Sequence, residues 1–142
     1  MGQQQLLLLV LGIVIVGLAV VVGIQAFGEN QNKANADAMV NDGIRIASDA
    51  QAWALKPAAF GGPSTGEAIG DVSFQDLGYS PTAGVYSNLN GDYTLTGTTG
   101  VACVLISGNG NTSAANEIYV VVSGTTVADI ETAVNPDVPL SC

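Results

Sequence analysis

The longest hydrophobic stretch of the chain is LLLLVLGIVIVGLAVVVGI, at residues 6–24, and it carries neither a charge nor a polar side chain. As an α-helix rising about 1.5 Å per residue, the stretch reaches roughly 29 Å, near the thickness of the hydrocarbon core of a bilayer. Because a backbone inside lipid must satisfy its own N–H and C=O groups, we predict that it is helical. The pattern therefore indicates a helix able to span a membrane.

After this stretch the pattern becomes that of an amphipathic helix. Small or apolar residues recur every three or four positions, and three large residues widen the same face: Met39, Ile46 and Trp53. Pro57 ends the pattern because the residue before a proline is disfavoured in the α region. We predict one helix over residues 3–56, apolar on all sides in its first half and amphipathic in its second.

The remainder of the chain alternates in the manner of β-strands. A loop rich in glycine and proline is predicted at residues 58–81, and Asn90-Gly91 is a favoured two-residue hairpin turn. Four strands are predicted, at residues 84–89, 92–96, 101–107 and 117–123. They form an antiparallel meander whose apolar face is expected to pack on the amphipathic half of the helix.

The end of the chain completes the predicted fold. The spacing of Val127, Ile130 and Val134 predicts one or two turns of helix over residues 126–134. The fold class that follows is α+β, a long N-terminal helix on a roughly four-stranded antiparallel sheet. We divide the chain into three parts: a possible leader at residues 1–2, a hydrophobic helix at 3–28 and a globular head at 29–142.

Composition restricts the classes of function. The net charge is −9, from twelve acidic and three basic residues, so nucleic acid is not expected as the main partner, since phosphate binding needs clustered Lys and Arg. The chain has no histidine, which removes the commonest general base and the commonest metal ligand. We predict a protein that is not an enzyme and has no cofactor or metal.

Three polar groupings are candidate sites. Asn88, Asn90 and Asp92 could place oxygens around calcium, as could residues 108–111, but both lack the carboxylates of a dedicated loop and are better explained as turn residues. Three acidic residues of the predicted loop are better explained as solvated charges: Glu67, Asp71 and Asp76. Residues 111–113, Asn-Thr-Ser, fit an N-glycosylation acceptor.

The two cysteines, Cys103 and Cys142, permit one intramolecular pairing. With a membrane segment ahead of them, they predict a disulfide in an oxidising compartment, and two free buried thiols are the alternative. The bond would close a loop of about forty residues, worth near 4 kcal/mol in the chain-entropy model.

The plan of the chain resembles that of the type IV pilins. A very short N-terminus ending in glycine precedes an uncharged apolar helix that continues as an amphipathic one, followed by a glycine-rich loop, an antiparallel sheet and a C-terminal cysteine pair. The resemblance implies that a prepilin peptidase cuts after Gly2 and leaves Gln3 as the new N-terminus, often methylated in this family. It also implies that residues 62–79 are the αβ loop, and that Cys103 and Cys142 bracket a disulfide-bounded region.

The N-terminal motif departs from the family at two positions. Bacterial pilins usually carry phenylalanine first and glutamate fifth after the cut, where this chain has Gln3 and Leu7. That glutamate normally pairs with the N-terminal amine of a neighbouring subunit. The amides of Gln3, Gln4 and Gln5 offer neutral hydrogen bonds in its place.

The resemblance implies a structural subunit of an extracellular filament, stored in the inner membrane and assembled with copies of itself by a pilus assembly platform. The apolar helix would form the filament core through fifteen residues: Leu6, Leu7, Leu8, Leu9, Val10, Leu11, Ile13, Val14, Ile15, Val16, Leu18, Val20, Val21, Val22 and Ile24. Two alternatives stay open. One is a pseudopilin or minor pilin of a type II secretion or DNA-uptake machine, and the other is a single-pass anchored binding domain that does not polymerise.

Overall fold

One long helix and five strands make up the fold. The structure, a computed structural model, describes residues 2–64, 68–111 and 116–142. Its elements are α1 (Gly2–Ala54), β1 (Val85–Ser87), β2 (Gly91–Gly97), β3 (Val104–Gly110), β4 (Glu117–Val122) and β5 (Ile130–Val134). Short 3-10 helices lie at Ala58–Phe60, Ile69–Asp71 and Val127–Asp129. The predicted α+β class, with a long N-terminal helix packed on an antiparallel sheet, is confirmed.

The helix ends two residues earlier than the predicted position 56. Leu55 N–H still reaches the Gln51 carbonyl at 3.2 Å, but Lys56 N–H donates to Trp53, only three residues back, at 3.0 Å. The last turn therefore tightens before Pro57. The Trp53 indole N–H donates to the Gly61 carbonyl at 2.8 Å and attaches the following loop to the helix end.

The chain forms two compact units, one up to Lys33 and one from Ala34 to Cys142. In the first unit, residues 2–33 are all helical and all exposed. The second unit contains residues 34–54 of α1 and the whole sheet, and from here on the word head means this unit. The sequence-based boundary between hydrophobic helix and head lies five residues earlier, between 28 and 29.

The sheet is a simple meander. The spatial order β1-β2-β3-β4-β5 is the order along the chain, and every neighbouring pair is antiparallel. The predicted strands at 84–89, 92–96, 101–107 and 117–123 correspond to β1 to β4. The third of them begins later than predicted, because Val101 N–H closes a turn on the Thr98 carbonyl and Gly70 N–H binds the Val101 carbonyl.

The prediction of helix over residues 126–134 was wrong for its second half. A single 3-10 turn, Val127–Asp129, leads into the strand β5, which pairs with β4 from Ile130 opposite Val122 to Val134 opposite Ile118. Ile130 packs against the core. Five residues are too short for the apparent helical spacing to compete with a ladder along the edge of β4.

The first hairpin turn is also shifted from its predicted position. Ser87 lies opposite Asp92, and Asn88 N–H donates to the Gly91 carbonyl at 3.0 Å, so Leu89 and Asn90 are the central residues of the turn. The Asn88 side-chain oxygen accepts the N–H groups of Asn90 and Gly91. This local capping selects the turn in place of the predicted Asn90-Gly91 pair.

The core lies between residues 34–54 of α1 and one face of the sheet. The predicted face of the helix is buried at Met39, Ile46 and Trp53, whereas Ile44 is partly exposed. At Gly43 a Cβ atom would lie 2.9 Å from side-chain carbons of both Ile118 and Val120. The missing side chain therefore lets the helix approach β4 closely.

A disulfide joins Cys103 to Cys142, with the two Cα atoms 5.8 Å apart and a sequence separation of 39 positions. The alternative of two free thiols is therefore excluded. The bond attaches the segment after β5 to the residue just before β3.

Candidate functional site

The largest exposed apolar surface of the described residues lies on the first unit, in α1. Each of the fifteen residues predicted for a filament core is between 49% and 68% exposed. Every side of the helix is apolar here, so no single buried stripe can face a core within the chain. We call this surface, at residues 6–24, the apolar segment.

The glycines of the apolar segment lie in open space. A Cβ atom at Gly12, Gly17 or Gly23 would meet no heavy atom within 4 Å. Unlike Gly43, they are therefore not required for packing within the chain. Small residues of this kind permit another helix to approach closely, and they are also ordinary in membrane helices.

Among the described residues, α1 is the helix long and apolar enough to cross a membrane, judged by length and composition. This property fits membrane insertion, and a signal sequence near an N-terminus shares it. Gly2 is the first described residue of α1 and Gln3 follows it, so the predicted processing site lies at the start of the helix. The first turn contains no acidic side chain.

In the head, one carboxylate of α1 organises the end of the sheet. Asp42 Oδ2 accepts hydrogen bonds from the side chains of Asn88 at 2.8 Å, Asn90 at 2.7 Å and Tyr93 at 3.0 Å. Asn88 and Asn90, considered above as calcium ligands, therefore donate to a carboxylate instead. Among the described residues, no group of three or more Asp, Glu, Cys or His is arranged to hold a metal ion.

A second carboxylate of α1 holds an aromatic cluster. Tyr79 O–H donates to Asp49 Oδ2 at 2.6 Å, and the Tyr79 ring lies 4.7 Å from that of Tyr86. Phe74 and Tyr93 extend the cluster, with ring centroids 5.8 and 6.1 Å from Tyr86. Burial, followed by the hydrogen bond to Asp49, raises the pKa of Tyr79 to about 12. Burial and the charge of Asp42 likewise raise the pKa of Tyr93.

Asparagines link the start of the head's helix to two loops of the sheet. The Asn35 amide donates to the Asn90 carbonyl at 2.9 Å, and its oxygen accepts from Asn116 at 3.1 Å. Asn135 donates to Asn116 at 3.4 Å. Asn116 is buried, and these bonds satisfy its side-chain amide.

The other sequence candidates do not converge on one site. Asp71 accepts a hydrogen bond from Gly100 N–H, which links two loops, and Asp76 accepts from Ser73 within a local turn, so both carboxylates have structural partners. The predicted acidic grouping also includes Glu67, which lies outside the described residues. Two residues of the predicted glycosylation acceptor, at 112 and 113, also lie outside them.

Sequence reasoning missed two surface features of the head. The first is an exposed segment after α1, in which Leu55 is 64% and Phe60 81% exposed beside Lys56. The second is a groove of about 220 Å³. It is lined by Val72, Ser73, Phe74, Gln75, Pro81 and Leu95. The one sequence signal for the first was an aromatic residue immediately before Gly-Gly-Pro, and the groove has no local signal because its walls come from separate segments.

Comparison of the chain with protein-family models, curated proteins and solved structures gave no significant match. What the protein does has therefore to be inferred from its own residues and their geometry.

Proposed function

We propose that the protein is a structural subunit that polymerises through its N-terminal hydrophobic helix into an extracellular filament of the type IV pilus kind. The observation that supports this most directly is the apolar segment, where fifteen large apolar side chains have no partner within the chain's described residues. Such a surface has to be covered by lipid or by protein. In the proposed cycle, lipid covers it first, in the inner membrane, and identical helices cover it afterwards.

The energetics of the apolar segment favour a handover that avoids water. At about 25 cal/mol per Å² of apolar area, removing the whole segment from water is worth tens of kcal/mol. A subunit would not pass spontaneously through water from the membrane to the filament, so an assembly platform is a further partner. A prepilin peptidase acting after Gly2 is another.

The head supports a role in display on the filament surface. We assign the head no catalysis and no cofactor, and we do not expect nucleic acid as the main partner. Its sheet and loops, from residue 57 onward, contain acidic residues and no basic residue. Adhesion, motility and surface attachment are the corresponding uses of a filament.

One observation favours a second candidate function. Leu7 occupies the position at which most bacterial pilins have glutamate, and pilin-like subunits without that residue are sometimes found at filament tips. The second candidate is therefore a pseudopilin or minor pilin of a secretion or uptake machine. A non-polymerising anchored domain is the third.

Electron microscopy of filaments sheared from the cell surface separates these candidates. We expect the chain at many copies along each filament, as detected by labelling and by mass spectrometry. A few copies at the tip would support the minor subunit, and presence only in the membrane would support the anchored domain. Mass spectrometry of the intact chain tests processing, because a mass that includes Met1 and Gly2 excludes the proposed cut.

A further inference from the structure

The segment after α1 presents an apolar side chain on a fixed backbone. Phe60 N–H donates to the Pro57 carbonyl at 2.9 Å and Gly61 N–H to the Ala58 carbonyl at 3.2 Å. The Trp53 indole N–H donates to the Gly61 carbonyl at 2.8 Å. The phenyl ring is therefore displayed by a turn that is already ordered, so little conformational entropy would be lost when it binds. We call Leu55, Lys56 and Phe60 the knob.

The groove of the head is also formed in advance. Tyr79 N–H donates to the Phe74 carbonyl at 2.9 Å, and Thr82 and Val85 exchange both backbone hydrogen bonds. These bonds fix the two loops that form its walls. A cavity of about 150 Å³ can hold a benzene molecule, so the groove, at about 220 Å³, has room for one phenyl ring.

The knob and the groove carry opposite charges at their margins. Lys56 belongs to the knob and is the last basic residue in the sequence. The groove segment, residues 72–75, lies between Asp71 and Asp76, whose carboxylates are fixed by the N–H groups of Gly100 and Ser73. A chain bound through Phe60 would therefore bring its ammonium group near two positioned carboxylates.

We propose that the knob of one copy binds in the groove of a second copy. This inference rests on the proposed self-assembly and adds a contact between heads to it. The ring of Phe60 is 81% exposed, so it does not fill the groove of its own chain. Because the two surfaces differ, the contact is heterologous and can propagate along a filament instead of closing a symmetric dimer.

Photo-crosslinking of the full-length protein tests the contact. Cells would produce a one-to-one mixture of isotopically light and heavy chains carrying p-benzoylphenylalanine at position 60, and filaments would be sheared and irradiated. We expect crosslinked peptides that join position 60 to residues 72–75 or to Leu95, half of them between a light and a heavy chain. The same probe at Leu89, which is 87% exposed in the first hairpin turn, is the matched control and should not label the groove.

Charge exchange tests the direction of the contact. Lys56→Glu or Asp76→Lys alone should lower the crosslink yield about two- to fivefold, the size of an exposed ion pair. Mixing chains that carry Lys56→Glu and the probe with chains that carry Asp76→Lys should restore it. Circular dichroism and the intact disulfide mass would verify that the variants fold.

A probe at Val14 separates failure of this inference from failure of the proposed function. Crosslinks between copies at Val14, without crosslinks from position 60 to the groove, would overturn the knob contact and leave polymerisation through the helix supported. Absence of crosslinks between copies at both positions would overturn both proposals.

Discussion

The two parts of α1 contain the same kinds of residue in opposite environments. Ile15, in the apolar segment, is 58% exposed, whereas Ile46, in the head, is 1% exposed. Glycines differ in the same way, since a Cβ at Gly43 would contact Ile118 and Val120 and one at Gly17 would contact nothing within 4 Å. One part of the helix has its apolar partner in its own sheet, and the other does not.

This difference separates the apolar residues that stabilise the fold of the head from those that require apolar surroundings outside their own chain. Residues 34–54 alternate polar and apolar faces because only one face meets the sheet. The apolar segment has no polar face, which is the pattern of a helix surrounded by apolar material on all sides. Substitutions in the first region should therefore change stability of the head, and substitutions in the second should change insertion and assembly.

The largest expected effect comes from a charge in the apolar segment. Val14→Asp should lower membrane insertion by about 3 kcal/mol, roughly a hundredfold, and should prevent filament formation. Quantifying the chain in membrane and sheared fractions measures both. Ser48→Asp, at an exposed position of the head's helix, is the control and should have little effect on either. Normal filaments with Asp at position 14 would refute a buried core.

The next largest effect comes from making the same substitution in each of the two parts of the helix. Ile46→Ala should destabilise the head by about 2–5 kcal/mol, because it removes buried methyl groups and leaves a cavity. Ile15→Ala, the same substitution in the apolar segment, should leave the unfolding midpoint of the head unchanged. The two variants are compared by thermal unfolding of the purified chain in detergent, monitored by near-UV circular dichroism. Equal shifts in the two variants would contradict the division of the helix.

A smaller effect comes from the glycines. Gly43→Ala should destabilise the head by about 1 kcal/mol, since crowding against the stiff Val120 outweighs the gain in helix propensity. Gly28→Ala meets no heavy atom within 4 Å and should leave the midpoint unchanged. The same unfolding assay applies. If Gly43→Ala stabilised the head, the close approach of helix and sheet would not limit packing at this position.

The smallest expected effect is a dependence of the stability of the head on pH. Because the pKa of Tyr79 is raised in the folded head from 10.0 to about 12, the unfolded chain loses the phenolic proton first. Stability of the head should therefore fall as pH rises from 10 to 12, and Tyr93 adds to this fall. Tyr79→Phe should reduce the slope, and its midpoint should be compared with wild type at pH 8 and pH 11. An unchanged slope would contradict the assigned cause.

Much of the fold was predictable because its elements have strong local patterns. The helix, the breaking effect of Pro57 and the strands β2 to β4 all follow from periodicity and turn residues. The strand β5 did not, because Val127, Ile130 and Val134 imitate a helical face, and only the free edge of β4 decides their conformation. The turn at Leu89 and Asn90 was likewise decided by the side chain of Asn88 and its bond to Asp42.

The candidate site divides in the same way. The apolar segment was evident from nineteen consecutive residues without a polar side chain. The groove was not, because Phe74 and Leu95 belong to distant segments that only the folded chain brings together. The three hydrogen bonds to Asp42 also join residues that are 46 to 51 positions apart.

The meander has a consequence for the order in which the protein folds. Each strand pairs with the one that precedes it in the chain. A chain that is synthesised from its N-terminus can therefore add strands one at a time. The helix gains its contacts in stages: Asp42 can bind the first hairpin early, whereas Gln51 bonds to Thr126 and Asn35 to Asn116, 75 and 81 residues further on. We expect the part of the helix that packs on β4, at Gly43, to stay uncovered until β4 has been synthesised, which makes this interval the one in which a chaperone would bind.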